Sequence, residues 1–183
     1  GYVIAERKKD KLDPIIHKFP RISVGATQNI LMAATLANGN SKLKNCAIEP
    51  EVIDLINFLN KCGASIKVSN RNITVKGVEE LKLNNYKVIP DRIEAGSYIL
   101  ATMATKGRIK LNNFNPKDLT FPLKIYKEMG LKIKKISNSS YEIFCKKLKS
   151  IKKITTKEFP GYPTDLQAQL VATQLKSGLK SKV

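Results

Sequence analysis

The sequence predicts an α/β protein built from repeated units, each running helix, strand, helix, strand, strand. Two observations support this prediction. Residues 30–45 (ILMAATLANGNSKLKN) align without gaps with residues 98–113 (YILATMATKGRIKLNN), which indicates a repeat of about 68 residues. Residues 51–68 and 119–136 then each show an amphipathic helical pattern, a glycine and an alternating strand pattern.

The first helix of each unit is rich in small residues and apolar on most sides, so we expect it to be buried at the centre of the protein. Each of these helices is followed by a glycine, Gly39 or Gly107, and then by a short strand that ends in Asn. We expect both glycines to act as left-handed C-caps, a conformation that glycine adopts at little cost.

The other strands of each unit follow from short alternating runs. Residues 70–78 and 139–147 read as hairpin partners of the strands that precede them. A third copy of the unit opens at residues 164–178. We also expect a leading strand before each unit, at residues 19–24, 86–90 and 152–158.

The length of 183 residues is enough for one good core or two small ones. A single unit is too small to bury both faces of its sheet, so several must pack together. The chain starts without Met at GYVIAERKK and stops at SGLKSKV, just after a helix-ending glycine. We therefore expect it to be a segment of a longer polypeptide.

Composition narrows the function classes. No run approaches the roughly 18 apolar residues of a membrane span, so no membrane association is expected. Cys46, Cys62 and Cys145 are odd in number and far apart, which fits neither a metal site nor a disulfide framework and indicates a reduced, cytoplasmic protein. No metal cluster or dinucleotide fingerprint is visible, so we expect no cofactor.

The net charge of +18 raises the possibility of nucleic-acid binding. Most of the 33 basic residues are Lys, however, and they are spread along nearly the whole chain. The densest run, residues 146–157, has no interleaved aromatic residues and matches no nucleic-acid-binding motif. We expect no nucleic-acid partner, and a basic cleft would equally suit a polyanionic small substrate.

The starts of the three small-residue helices are polar: SVGAT (23–27), PDRIEAG (90–96) and YPTDLQ (162–167). Asp91 with Glu94, and Thr164 with Gln167, have the spacing of a capping box. SVGAT offers backbone N–H groups that suit an anion. If the repeats pack around one axis, these starts face a common cleft; otherwise they are only caps.

Asp165 poses the sharpest question. It follows a stiff Gly-Tyr-Pro approach and stands at the start of a helix. It is either a supplementary cap or a base held over a substrate hydroxyl.

Four segments carry a resemblance to a known family: RISVGATQNILMAATLANG (21–39), EPEVIDLINFLNKCGA (49–64), VIPDRIEAGSYILA (88–101) and FPGYPTDLQAQ (159–169). Together they resemble the UDP-N-acetylglucosamine 1-carboxyvinyltransferase family, the enolpyruvyl transferases that begin peptidoglycan precursor synthesis. The resemblance implies six repeated units in two domains, each an inside-out α/β barrel. Residues 1–88 would be the C-terminal part of the first domain, and 89–183 the N-terminal part of the second, truncated.

The resemblance also implies site residues. Arg21, Ser23, Val24 and Gly25 match the loop that holds the UDP portion, although the family normally has Lys at the position of Arg21. Glu49 and Asp91 match acidic residues that line the cleft, and dipole-favoured helix-start carboxylates are the alternative. Asp165 matches the carboxylate that contacts the sugar 3-hydroxyl, the proposed general base. Arg92 follows Asp91 in the same motif.

The implied reaction transfers the enolpyruvyl group of phosphoenolpyruvate to the 3-hydroxyl of UDP-N-acetylglucosamine and releases phosphate. The family's reactive Cys loop and its phosphoenolpyruvate-binding residues have no match here, so the chain needs the rest of its own polypeptide and we expect it to be inactive alone. Two alternatives stay open: an enolpyruvylshikimate phosphate synthase-like transferase, and a non-catalytic basic module that binds nucleic acid.

Overall fold

A computed structural model describes residues 2, 4, 6, 10–83 and 85–178. The chain divides into two compact units, Gly1–Ile89 and Pro90–Val183. The assignment of residues 1–88 and 89–183 to two domains of a larger enzyme stays a prediction. None of the helices in the described part of the chain is long and apolar enough to span a membrane.

The first unit packs two helices against a four-stranded sheet. Its elements are β1 (Ile16–Lys18), α1 (Val24–Thr35), β2 (Asn40–Lys44), α2 (Pro50–Lys61), β3 (Ser65–Ser69) and β4 (Asn72–Lys76). The strand order is β1-β2-β4-β3, with β1 parallel to β2 and the other neighbours antiparallel. The core joins one face of each helix to alternate strand positions, among them Leu31, Val52, Ile56, Ile73 and Val75.

The second unit repeats this plan. Its elements are α3 (Arg92–Ala104), β5 (Arg108–Leu111), a 3₁₀ turn (Pro116–Leu119), α4 (Thr120–Glu128), β6 (Lys132–Lys135), β7 (Tyr141–Phe144), a second 3₁₀ turn (Thr164–Leu166) and α5 (Gln167–Leu175). The sheet order is β5-β7-β6, antiparallel throughout. The hairpin strands expected within 70–78 and 139–147 are therefore confirmed as β4 and β7.

The internal repeat extends to strand register. Leu43 of β2 lies opposite Ile73 of β4. In the second unit, Leu111 of β5 lies opposite Tyr141 of β7, again about 68 residues later on both strands. A slip of one residue would turn each strand's apolar side chains to the wrong face, so this register follows from the alternation itself.

The turns also repeat. Asn45 and Asn113 both adopt positive φ, at 58° and 54°, just after the equivalent strands β2 and β5. Gly63 and Gly130 do the same after α2 and α4, at 102° and 110°. The left-handed cap predicted at Gly107 is wrong, because the preceding residue, Lys106, takes φ 54° instead.

Two further expectations are corrected. Residues 19–24 form no strand, because Pro20 lacks the N–H that a ladder needs and α1 already begins at Val24. Residues 86–90 form no strand either. Their polar groups bond to Asp54 of α2: the Tyr86 hydroxyl donates to Oδ1 at 2.7 Å and the Ile89 N–H to Oδ2 at 3.5 Å.

The third leading strand, 152–158, contains no strand element, although Thr156 within it forms an isolated bridge with Tyr162. The small-residue helices are also less buried than predicted. Met32 on α1 is 45% exposed and Tyr98 on α3 is 56% exposed. The helix α1 packs on its own sheet through one face, whereas α3 packs both on its sheet and along α5.

Candidate functional site

The start of α1 is an open, positively polarised surface. Ser23 is the N-cap, and its Oγ accepts a hydrogen bond from the Ala26 N–H at 3.3 Å. The N–H groups of the first turn have no carbonyl partner within a helix, and here no acidic side chain lies in that turn. Arg21 and Gly25 are exposed, and Val24 is half-buried against the core. An exposed cation thus lies two residues before the N-cap of a helix whose first turn carries no acidic side chain.

Gly25 leaves room for a ligand. A Cβ atom at this position would have nothing within 4 Å. Its φ is not positive, so backbone strain does not demand glycine here. Open space above the first turn allows a charged group to approach the N–H donors closely.

Glu49 lies at the start of α2 in the same unit and is 5% exposed. Its side chain makes no capping hydrogen bond; instead its carbonyl accepts from the Val52 N–H at 2.8 Å and the Ile53 N–H at 3.1 Å. Glu49 therefore begins the helix through its backbone, and side-chain capping does not explain the carboxylate.

Thr27 ties the Glu49 loop to α1, a role that sequence reasoning missed. Its buried Oγ1 accepts from the Ala47 N–H at 3.0 Å. The bond fixes the chain two residues before Glu49 against the helix that starts at Val24. The only sequence signal is a hydroxyl within a mostly apolar helix.

Asp91 is the N-cap of α3 in the second unit. Its Oδ1 accepts from the Ile93 N–H at 2.7 Å and the Glu94 N–H at 3.2 Å. Beside it is a cleft of about 260 Å³ whose lining includes two carboxylates, two amides and two aromatic rings: Asp91, Glu94, Asn112, Asn113, Tyr98 and Phe114. Asp91 is exposed and is one of the residues that line this cleft.

Asp165 lies in the 3₁₀ turn Thr164–Leu166, which leads directly into α5. The capping box predicted for Thr164 and Gln167 is wrong, because neither the turn nor α5 has a side-chain cap. Asp165 is exposed, and its carboxylate forms no hydrogen bond or ion pair within the described residues. Capping therefore does not account for this carboxylate.

The chain that leads to Asp165 is anchored by Tyr162. Its side chain is fully buried, and its hydroxyl donates to the Leu166 carbonyl at 3.3 Å. The hydroxyl also lies 2.9 Å from that of Tyr126, a buried residue of α4. Burial raises the pKa of the Tyr126 phenol well above its ordinary value, and Tyr162 raises it further. Burial also raises the pKa of Tyr162, so both phenols stay neutral.

The helices α3 and α5 are parallel, so they start at the same end. Three contacts follow each other in the same order along both helices: Gly96 with Leu166, Ser97 with Gln169 at 3.0 Å, and Leu100 with Thr173 at 3.3 Å. Asp91 and Asp165 are therefore brought to one end of this helix pair. The common cleft expected for all three helix starts stays a prediction; within the second unit, the starts of α3 and α5 lie at one end of the pair.

Arg92 is placed at the same end. It is the first residue of α3, is 8% exposed, and its guanidinium carbon lies 5.8 Å from the centre of the Phe159 ring. This contact joins α3 to the loop that precedes Asp165. A buried guanidinium near two carboxylate-bearing helix starts contributes positive charge to this end of the unit.

The three cysteines take no part in either set of residues. Cys46, Cys62 and Cys145 are all buried and free. Burial raises the pKa of the Cys46 and Cys145 thiols, which disfavours the reactive thiolate. Cys46 and Cys145 belong to the hydrophobic cores of the first and second unit.

Two similar curated relatives carry the same name. A UDP-N-acetylglucosamine 1-carboxyvinyltransferase of Pelagibacter ubique is 44% identical over 184 residues, covering 100% of this chain and 44% of the relative. The protein of the same name from Kosmotoga olearia is 42% identical over 94% of the chain and 41% of its own length. The chain thus spans under half the length of these relatives. They confirm the resemblance read from the four segments.

Solved structures confirm the fold. The enolpyruvyl transferase NikO from Streptomyces tendae superposes with a TM-score of 0.77 at 18% identity, over 92% of this chain and 43% of NikO. EPSP synthase from Acinetobacter baumannii superposes at 0.57 with 20% identity, over 90% of this chain and 37% of that one. The predicted class, repeated α/β units of the enolpyruvyl transferase type, is therefore confirmed. Because the model of the EPSP synthase (3-phosphoshikimate 1-carboxyvinyltransferase) family matches residues 2–181, the chain belongs to that family.

Proposed function

We propose that this chain forms part of an enzyme that transfers the enolpyruvyl group of phosphoenolpyruvate to the 3-hydroxyl of UDP-N-acetylglucosamine and releases phosphate. The identity of 44% across the whole chain supports this substrate. The observation that carries the proposal is the Asp165 carboxylate, which is exposed, makes no bond within the described residues and lies on an anchored turn.

Asp165 is the proposed general base. A sugar hydroxyl is a poor nucleophile unless its proton leaves as the new C–O bond forms. A carboxylate within hydrogen-bond reach of the 3-hydroxyl can accept that proton while the oxygen attaches to the enolpyruvyl carbon. Asp165 needs no internal bond to be broken before it does so, unlike Asp91, which already accepts two N–H groups.

The start of α1 is the proposed diphosphate site. Arg21 supplies a permanent charge, and the backbone around Ser23, Val24 and Gly25 supplies N–H donors at the positive end of the helix. Replacement of the family's usual Lys by Arg keeps the charge and offers a planar, forked donor. Glu49 and Asp91, each at the start of a helix, are proposed to contact substrate in the complete enzyme.

Two other functions are distinguishable. The family description favours a transferase acting on 3-phosphoshikimate, whereas the names of the curated relatives favour the nucleotide sugar. The net charge of +18 is the one observation that favours a nucleic-acid-binding module. RNA retained on a filter at moderate salt would support that module, because phosphate contacts weaken steeply as salt rises.

We further propose a cytoplasmic location, which the three free, buried thiols support.

The test uses the complete gene product and compares Asp165→Asn with the parent. Phosphate release is measured with phosphoenolpyruvate and either UDP-N-acetylglucosamine or shikimate 3-phosphate. We expect turnover with the nucleotide sugar and a fall in kcat of roughly 10²–10⁴ in Asp165→Asn, because an amide has no useful basicity.

The matched control is Glu158→Gln, which removes an exposed carboxylate from the same connecting segment. It should leave kcat unchanged, and thermal melting should show both variants folded. A folded Asp165→Asn protein with kcat within threefold of the parent would refute the base assignment. Turnover with shikimate 3-phosphate but not with UDP-N-acetylglucosamine would refute the proposed acceptor substrate.

A further inference from the structure

The turn that carries Asp165 is closed by a side-chain hydrogen bond across it. Tyr162 lies three residues before Asp165, and its hydroxyl reaches the carbonyl of Leu166, one residue after it, at 3.3 Å. The Tyr162 hydroxyl has one proton, which it donates to the Leu166 carbonyl. Tyr126 is therefore the donor in the 2.9 Å contact between the two hydroxyls. A chain of two phenols therefore runs from α4 to the peptide next to Asp165.

Leu166 is restrained from every side. Its side chain is fully buried against Gly96, where an added Cβ would lie 2.7 Å from Leu166 Cδ1. Its N–H donates to the Pro163 carbonyl at 3.2 Å. With the Tyr162 bond on its carbonyl, the residue that follows Asp165 has side chain, N–H and C=O all held.

The Tyr162 hydroxyl is not needed to satisfy the Leu166 carbonyl. Leu166 is the N-cap of α5, and an N-cap carbonyl already accepts the first hydrogen bond of its helix. Two hydroxyls in a core also cost desolvation that two Phe rings would avoid. The edge-to-face ring packing, with centroids 6.2 Å apart at 80°, would survive in Phe. What the hydroxyls add is restraint of the turn.

We infer, resting on the proposed function, that Tyr162 and Tyr126 form a positioning pair that holds the Asp165 carboxylate over the substrate hydroxyl. Asp165 makes no side-chain hydrogen bond or ion pair with any described residue, so among these residues only its own backbone fixes where its carboxylate lies. The pair acts on the chemical step and leaves nucleotide-sugar binding alone. Neither tyrosine touches the substrate.

The first test reads the turn directly, without any assay of activity. Hydrogen exchange by mass spectrometry is compared for peptides covering residues 162–170 in the parent, Tyr162→Phe and Tyr126→Phe forms of the complete gene product. We expect roughly fivefold faster exchange in both variants, the effect of losing one ordinary hydrogen bond. Tyr141→Phe is the control, since this half-buried phenol of the same unit has no hydrogen bond among the described residues. Unchanged exchange in both variants would overturn the inference.

The second test is a double-mutant cycle with Asp165→Asn. We expect Tyr162→Phe to lower kcat roughly ten- to hundredfold with KM for UDP-N-acetylglucosamine within threefold of the parent, because small misplacements of a reacting group cost that much. In the Asp165→Asn background the same change should have no further effect.

The results of these two tests distinguish failure of the positioning role from failure of the proposed function. An equal loss of kcat in both backgrounds, or unchanged kcat in the parent background, would overturn the positioning role. If thermal melting shows Tyr162→Phe unfolded, Tyr126→Phe takes its place in the same cycle. A complete gene product that turns over neither substrate would refute the proposed function, and the exchange result would still decide whether the tyrosines hold the turn.

Discussion

Asp91 and Asp165 both lie at the start of a helix, but only Asp91 caps its helix with its side chain. Asp91 caps α3 through two N–H groups, as its spacing predicts. Asp165 precedes α5 in the third copy of the repeat, yet it caps nothing. The difference lies in the backbone: α5 opens with a 3₁₀ turn, and that turn is held by Tyr162 instead of by a capping side chain. The sequence could show the motif, but only the structure shows which carboxylate is available for chemistry.

Gly25 allows a sharp test at the same scale. Its φ is not positive and a Cβ would meet no protein atom, so Gly25→Ala should leave the fold intact or raise stability by up to about 1 kcal/mol. If a diphosphate approaches the first turn of α1, the new methyl group will obstruct it. We expect KM for UDP-N-acetylglucosamine to rise about tenfold, the equivalent of about 1.4 kcal/mol.

Steady-state kinetics of the complete gene product checks this, with KM for phosphoenolpyruvate as the internal reference. Thermal melting should show Tm equal to or above that of the parent. An unchanged KM for the nucleotide sugar in Gly25→Ala would place the diphosphate elsewhere.

At the scale of elements, the sequence predicted what depends on short-range pattern. Alternation predicted the hairpin of β3 and β4 and that of β6 and β7. Of the two glycines expected to end a helix with positive φ, Gly39 does so and Gly107 does not. The prediction of leading strands at 86–90 and 152–158 was wrong, because a strand forms only where a neighbouring strand pairs with its backbone. Residues 86–90 bond to Asp54 of α2, and the Ile151 N–H, just before 152–158, bonds to the buried Gln174 side chain. A single sequence carries no signal for such side-chain partners.

The repeat supplies a matched pair of glycines for a stability prediction. Gly63 and Gly130 share a positive φ after equivalent helices, but their surroundings differ. A Cβ on Gly63 would have nothing within 4 Å, whereas one on Gly130 would lie 2.2 Å from the Lys147 carbonyl oxygen. We expect Gly63→Ala to cost about 1–2 kcal/mol from backbone strain alone.

Gly130→Ala should cost clearly more, because the backbone at Lys147 must also move. Denaturant unfolding of the two variants in the complete gene product measures the difference. Equal losses of unfolding free energy would show that the segment around Lys147 yields without cost, contrary to its Lys149 N–H bond to Met129.

At the scale of the whole molecule, the repeat predicted the α/β units and the four resembling segments indicated the family, while the roles of the candidate site residues stay predictions. Asp91 and Asp165 do come to one end of a parallel helix pair. Thr27, Tyr126 and the buried face of Arg92 were not predictable, because each acts through a residue distant in sequence. The charge of +18 spreads over solvent-facing lysines, as on β6, and marks no single surface by itself.

The last prediction concerns the chain by itself. It spans 44% of the length of its Pelagibacter relative, and the phosphoenolpyruvate-binding residues implied by the resemblance have no match within it. Transfer of an enolpyruvyl group develops negative charge that needs cations placed beside it, and that stabilisation is a large part of catalysis. Purified residues 1–183 should therefore release no phosphate from phosphoenolpyruvate and UDP-N-acetylglucosamine above the rate without protein. The complete gene product assayed alongside is the positive control, and a thermal melt of residues 1–183 shows whether they are folded. Phosphate release by residues 1–183 would mean that the basic groups within this chain, Arg21 and Arg92 among them, assemble a complete site.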